Sequence, residues 1–209
     1  MQPTAVRLPA MIASSHTPSR APERIAAAAV LLLIPFALSA CGAGGTKFSE
    51  EDFFARALPR NEKLWSNLTR NELPSNRGIR WICNYALLGA EFGREDMLPR
   101  VARLVEIADS MQDKDPASET FGNFRWYWRN RKVTDLNAVE FILHHLIPLW
   151  ADHRHRLGAK TRSTLQQCLR RSADGCLKHK VHPSYTNIAV SNAVNLILLG
   201  EQFGRVTFH

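Results

Sequence analysis

The stretch NYALLGAEFGR, residues 84 to 94, returns further down the chain as NLILLGEQFGR, residues 195 to 205. Asn84 falls on Asn195, Leu87 on Leu198, Leu88 on Leu199, Gly89 on Gly200, and the run Phe92, Gly93, Arg94 on Phe203, Gly204, Arg205. Asn76 falls on Asn187. Half of that spacing also recurs, because NAVEFIL at 137 to 143 lies over NAVNLIL at 192 to 198, an offset of 55. The chain therefore repeats at this shorter interval, three times, with Asn84, Glu140 and Asn195 at equivalent positions. A period of that size marks a stacked or circular array of small structural units.

Each unit reads as a pair of helices. Residues 76 to 92 place Ile79, Ile82, Cys83, Ala86 and Leu87 at helical spacing and stop at Gly93, as a C-terminal glycine requires. A second helix is predicted over 95 to 112, with Pro99 in its tolerant first turn and Met97, Val101, Leu104, Val105 and Ala108 on one face. The next unit predicts a helix from about Asp135 to Arg156, kinked at Pro148, then one from about Lys160 to Lys178 facing inward through Leu165, Cys168, Leu169 and Ala173. The third opens near Asn187. A less regular helix over residues 49 to 68 precedes them, opened by SEED, where Ser49 suits an N-cap and acidic residues fill the first turn. No stretch alternates as a strand would.

Helical hairpins of this length, each led in by a polar and aromatic connection, resemble the α/α-toroid of many polysaccharide lyases and glycoside hydrolases. The resemblance covers residues 50 to 205 and rests on the repeat, on WYWR at 126 to 129 and on HPSYTN at 182 to 187. It implies an all-α partial toroid and a carbohydrate-active role, lyase-like or glycoside hydrolase-like, with no catalytic motif of the family aligned residue by residue. Toroids of this kind have five to seven hairpins and this chain supplies about two and a half, so the domain over 49 to 209 is expected to be C-terminally incomplete or to close its open end as a homodimer.

Residues 1 to 40 read as an export signal: Arg7, Arg20 and Arg24, then AAAAVLLLIPFALSA at 26 to 40, too short for a comfortable span. The LSAC at 38 to 41 resembles a bacterial lipobox, which implies lipidation of Cys41, a membrane anchor and, with no Asp following, the outer membrane. An ordinary signal with an incidental Cys41 is the alternative. Residues 41 to 48 form a small, flexible tether. Without residues 1 to 40 the chain keeps a formal charge of about +6, which suits acidic partners such as anionic polysaccharide or lipid headgroups, or is a generic surplus. Cys83, Cys168 and Cys176 remain. Their helical rise puts the last two roughly 12 Å apart, too far to bridge, so all three read as small buried hydrophobes.

Chemistry is sought in the connections leading into each first helix. FGNFRWYWRNRK at 121 to 132 sets Trp126 and Trp128 among Arg125, Arg129 and Arg131. Flat rings stack on sugars while guanidiniums bind carboxylate or sulfate in pairs of bonds, or else the tryptophans plug the loop into the array. Nucleic acid wants a similar mixture, but export argues against it. KHKVHPSYTN at 178 to 187 gathers His179, His182, Tyr185 and Asn187. A lyase needs a base, an acid and a group to quench enolate charge, and His182, Tyr185 and Asn187 are of those types; alternatively Thr186 caps a helix and His182 sits in a turn. Glu140 replaces the amide of Asn84 and Asn195, as a general acid paired with Asp135 or as a buried carboxylate bonded to an Arg or Trp. His144, His145, His153 and His155 lack any metal-ligand motif, so neither metal nor cofactor is expected. The expectation is an exported protein that binds or cleaves an acidic polysaccharide by β-elimination, with Tyr185 and His182 as acid and base, Asn187 or Arg129 on the carboxylate, and Trp126 and Trp128 as platforms. Its rivals are a non-catalytic envelope lipoprotein binding glycan or protein, and an inactive truncated remnant.

Overall fold

The computed structural model describes residues 77 to 93 and 95 to 204. The signal segment, Cys41, the tether, the helix expected over 49 to 68, Asn76, Arg94 and the residues after 204 lie outside the described residues. The described chain is all-α: α1 (Ile79–Glu91), a 3₁₀ turn (Glu95–Met97), α2 (Leu98–Met111), α3 (Ala138–His153), α4 (Ala159–Lys178) and α5 (Thr186–Phe203). No strand occurs among the described residues, only the isolated antiparallel bridges Gly78–Tyr127 and Gln112–Phe124. None of these helices is long and apolar enough to cross a membrane.

The apolar periodicity makes the hairpins. Ile79, Ile82, Cys83, Ala86 and Ala90 of α1 are buried, and Val101, Leu104, Val105 and Ala108 of α2 answer them. Gly93 adopts φ 69, a left-handed conformation that costs glycine little, and its N–H bonds to Ala90 O at 3.2 Å to end α1. Gly89 lets the two helices approach: a Cβ there would lie 3.0 Å from Val101 Cγ2. α1 packs on α2 and on α3, α3 on α4 and α5, and α2 on α4. α4 also packs on α5, and α3 packs on every other α-helix of the described chain except α2.

The predicted helix from Asp135 to Arg156 is shorter at both ends, because tertiary bonds take its first residues. Asp135 accepts the Trp126 indole N–H at 2.8 Å and the Asn137 N–H at 2.9 Å. The start of α3 is then held by a distant side chain, Asn123, whose Oδ1 accepts the Val139 N–H at 3.1 Å while its Nδ2 donates to Leu136 O at 2.6 Å. The helix predicted over 95 to 112 opens as a 3₁₀ turn instead of an α-turn, and that over 76 to 92 starts at Ile79. Pro148 lies inside α3, which runs through it.

The connector between α2 and α3 has no helix of its own and is fixed by close backbone approach. Gly122, at φ 81, lies against α4 so tightly that a Cβ would come within 1.9 Å of Arg171 O; one on Gly175 would lie 2.9 Å from the Gly122 carbonyl carbon. Beside this contact the buried Gln112 amide donates to Gly122 O (2.9 Å), Cys168 O (3.0 Å) and Ser172 Oγ (3.0 Å), and its oxygen accepts from Arg171 Nε at 2.8 Å. Arg171 in turn pairs with Asp109. The plug of the aromatic loop is Phe124, which is fully buried and whose burial stabilises by about 2–3 kcal/mol. Trp126 and Trp128 only lean on the core.

Cys83, Cys168 and Cys176 are buried and free. Burial pushes the Cys168 thiol up to about 12 and raises the other two well above the usual thiol range, so none is a reactive thiolate. Burial also pushes the His145 imidazole in α3 down to about 4, with the charge of Arg80 acting in the same direction, and its Nε2 has no hydrogen-bond partner among the described residues. An unfolded histidine titrates near 6.5, so between those values the unfolded chain binds a proton that the folded chain refuses. Stability from this group is complete above about pH 6.5 and is lost as the pH falls towards 4. Urea unfolding should give roughly 2 kcal/mol less at pH 5 than at pH 7 from this residue, and His145→Leu should remove that part of the difference. An unchanged pH dependence in the variant would contradict this account.

Candidate functional site

The connectors meet at one end of the array. Trp126 O accepts the Ile79 N–H at the start of α1 (2.9 Å), Asn123 caps the start of α3, and His179 at the end of α4 reaches Glu140 in the first turn of α3. α5 starts from the same connector as His179, with Tyr185 as its N-cap residue. The aromatic loop and the KHKVHPSYTN segment are therefore on the same side of the helical layers.

At this end stands Glu140, with no exposed surface. Its Oε1 accepts the Asn192 Nδ2–H at 2.9 Å and lies 2.7 Å from His179 Nδ1. Asn192 Nδ2 also bonds to Cys176 O at 3.0 Å, and Asn195 Nδ2 donates to the Glu140 backbone carbonyl at 3.0 Å. Because Oε1 already serves as an acceptor for Asn192, the hydrogen shared with the imidazole belongs on His179 Nδ1, and Nε2 becomes the basic ring nitrogen. Glu140 Oε2 is buried with no partner among the described residues. Three elements thus converge on one carboxylate: α3 supplies it, the end of α4 the imidazole, and α5 the Asn192 amide.

His179 and Asn192 also line an open groove of about 350 Å³, walled by Val181, Ala193, Leu196 and Ile197. An imidazole oriented by a buried carboxylate and open to an apolar groove can take or give a proton. Among the described residues no three His, Cys, Asp or Glu side chains converge as a metal site.

The residues singled out from the sequence are placed as follows. His182 is exposed and its Nδ1 lies 2.7 Å from Ser184 Oγ, a local turn contact. Tyr185 is 51% exposed, and its carbonyl accepts the N–H groups of Ile188 (3.1 Å) and Ala189 (3.0 Å). Asn187 is exposed in the first turn of α5. Trp126 is half-buried, with its ring 5.8 Å from Phe141, and Trp128 is half-buried with the Arg125 guanidinium 5.9 Å from its centre. Arg129 is exposed and lies 5.9 Å over Tyr127. Glu140 is paired with His179 and Asn192, not with Asp135, which is committed to Trp126 and Asn137, and not with an Arg or Trp. His153 lies 2.9 Å from Glu91, a contact whose hydrogen bond lowers the Glu91 carboxyl below its usual range, and His155 is exposed. Sequence reasoning passed over Asn192 and gave His179 no role. The repeat carried the only hint, since Asn192 opens NAVNLIL, and no local pattern pairs Glu140 with so distant a histidine.

Removing one member of a buried charged network strands the others. Glu140→Ala should therefore cost about 3–5 kcal/mol in urea unfolding, whereas Glu140→Gln, which keeps shape and one acceptor, should cost about 1–2 kcal/mol. Equal, small losses in both variants would mean that the carboxylate is not what holds α3, α4 and α5 together. Comparison of the chain with protein-family models, with curated proteins and with solved structures finds no match.

Proposed function

We propose that this chain is an exported helical-hairpin protein of the α/α-toroid kind that binds an acidic polysaccharide at its connector end and cleaves it by β-elimination. The carrying observation is the Glu140–His179 pair, a buried carboxylate aligned on an imidazole that lines a groove. In this reading the base is His179 and not the nearby His182, whose own Nδ1 is engaged by Ser184. His179 Nε2 takes the proton from the carbon beside the uronate carboxylate, and that electron pair becomes a carbon–carbon double bond. The glycosidic carbon–oxygen bond breaks, and Tyr185 gives its phenolic proton to the departing oxygen. Asn187 or Arg129 offsets the charge that grows on the carboxylate. Export, the lipid on Cys41 and an outer-membrane location complete the proposal on the strength of the N-terminal sequence.

The toroid reading draws support from the neighbouring first helices. It also draws on α5, whose Ala193, Val194 and Ile197 align with Ala138, Val139 and Ile142 of α3 and with Ile82, Cys83 and Ala86 of α1. All six equivalents are at most 1% exposed, whereas Val194 is 42% and Ile197 60% exposed. A face that the repeat buries elsewhere is open on α5; the proposal leaves Ala193 and Ile197 to the groove and assigns the side carrying Val190 and Val194, 57% and 42% exposed, to a second copy of the chain. The non-catalytic binding reading has its own support: Trp126 spends its indole N–H on Asp135, as a structural residue would.

Incubating the purified protein with uronate polymers should generate ultraviolet absorbance from unsaturated chain ends. His179→Ala should lower the rate by about 10²–10⁴-fold while His182→Ala leaves most of it; no absorbance on any polymer would leave only the binding reading. For the α5 face, sedimentation should find a dimer that Val190→Glu with Val194→Glu converts to a monomer with an unchanged unfolding transition. A wild-type monomer at all concentrations would refute the homodimer.

A further inference from the structure

On the side of the α3 first turn away from His179, Phe141 faces α1. The Arg80 guanidinium lies 5.3 Å over its ring, Trp126 packs at 5.8 Å and His144 meets it edge-on at 6.4 Å. Just before α1, the Arg77 guanidinium lies 4.8 Å over Trp81, and the Arg77 carbonyl accepts the Trp128 backbone N–H at 3.0 Å. Arg77, Arg80, Trp81, Phe141 and Trp126 thus form one strip across the starts of α1 and α3 and the aromatic loop. Trp81, Phe141 and Trp126 are each half-buried, and Arg80 is exposed.

Some cations of the molecule are spent on carboxylates, while Arg77 and Arg80, like Arg125, Arg129, Arg154 and Arg170, lie over aromatic rings. Arg171 pairs with Asp109, Lys160 with Glu106 at 2.7 Å and Arg156 with Glu95 at 3.8 Å. Neither Arg77 nor Arg80 has a carboxylate partner among the described residues, and Arg77 Nε is buried without any hydrogen-bond partner there. Guanidiniums held flat on aromatic rings are partly desolvated and oriented in advance, with their N–H edges free for a planar anion. Cations without a carboxylate partner among the described residues, carried on aromatic rings, suit an acidic sugar: bidentate bonds for its carboxylate or sulfate and apolar ring edges beside them.

We propose that Arg77 and Arg80, carried on Trp81 and Phe141 with Trp126 beside them, form the anion-binding subsite for an acidic saccharide. The inference rests on the acidic-glycan reading and gives it a binding surface immediately beside Glu140. Burial, aided by the charge of Arg80, pushes His145 down to about 4, so that imidazole adds no charge beside the arginines near neutral pH.

The test is titration calorimetry of the full chain with an oligogalacturonate, and with a neutral glucose oligomer of equal length. Wild type should bind the acidic oligomer and not the neutral one. The variant Arg77→Ala with Arg80→Ala should lose about tenfold or more in affinity, while the control Lys160→Ala with Arg162→Ala, at the far end of α4, should change it less than about twofold. Arg77→Lys with Arg80→Lys keeps the charge but not the planar stack; it should lose most of the affinity and serves if the alanine pair does not fold. Wild-type binding that both arginine variants retain would overturn the subsite and leave the glycan reading standing. Equal losses in the strip and control variants would reduce the effect to diffuse charge and overturn it too. A wild-type chain that binds no acidic oligomer would remove the reading and the subsite together.

Discussion

Burial of the Glu140 carboxylate is the constraint on which this end of the molecule depends. Taking such a group out of water costs several kcal/mol unless donors replace the lost hydration. Here the donors come from two other helices: His179 ends α4, and Asn192 lies in the second turn of α5. Asn195 adds a bond to the Glu140 backbone. The carboxylate therefore does more than fill space, because it fixes where α4 may end and how α5 may lie. The same demand orients the imidazole, so the group that secures the packing also fixes His179 at the edge of the groove.

The second constraint acts on α4, one turn before His179. Gly122 and Gly175 bring the backbone of the aromatic connector against α4, at a distance that no side chain on either would permit. Gln112 satisfies the carbonyls this contact exposes. With Phe124 sunk in the core and Asn123 capping α3, the connector is a rigid part of the fold and not a loose loop. That rigidity holds Trp126 against Phe141 and leaves Arg77 and Arg80 stacked on rings at the surface. The groove and the cationic strip flank one helical turn because Glu140 and Phe141 are consecutive residues that diverge around the α3 axis.

Much of the secondary structure was legible beforehand. Apolar spacing in Ile79, Ile82, Cys83 and Ala86 and in Leu165, Cys168 and Leu169 identified α1 and α4, and Gly93 marked a stop that its positive φ explains. Local signals failed where a tertiary bond replaced a local one. α3 begins at Ala138 because Asn123 supplies its cap and Trp126 occupies Asp135, neither of which periodicity reports. The loop composition pointed to its tryptophans, yet the residue swallowed by the core is Phe124, since indoles with a polar N–H settle at the margin where a partner exists.

What the sequence determined by itself was the helical class and the types of residue gathered in each connector. These follow from spacing and from local backbone preference, which act over a few residues. What only the tertiary structure decided was which of those residues meet. Glu140 found His179 rather than Asp135, and Arg80 found Phe141, each across a long run of intervening chain. Side-chain partnership at that range is set by how helices pack, and packing is settled by the whole core at once rather than by any stretch that can be read alone.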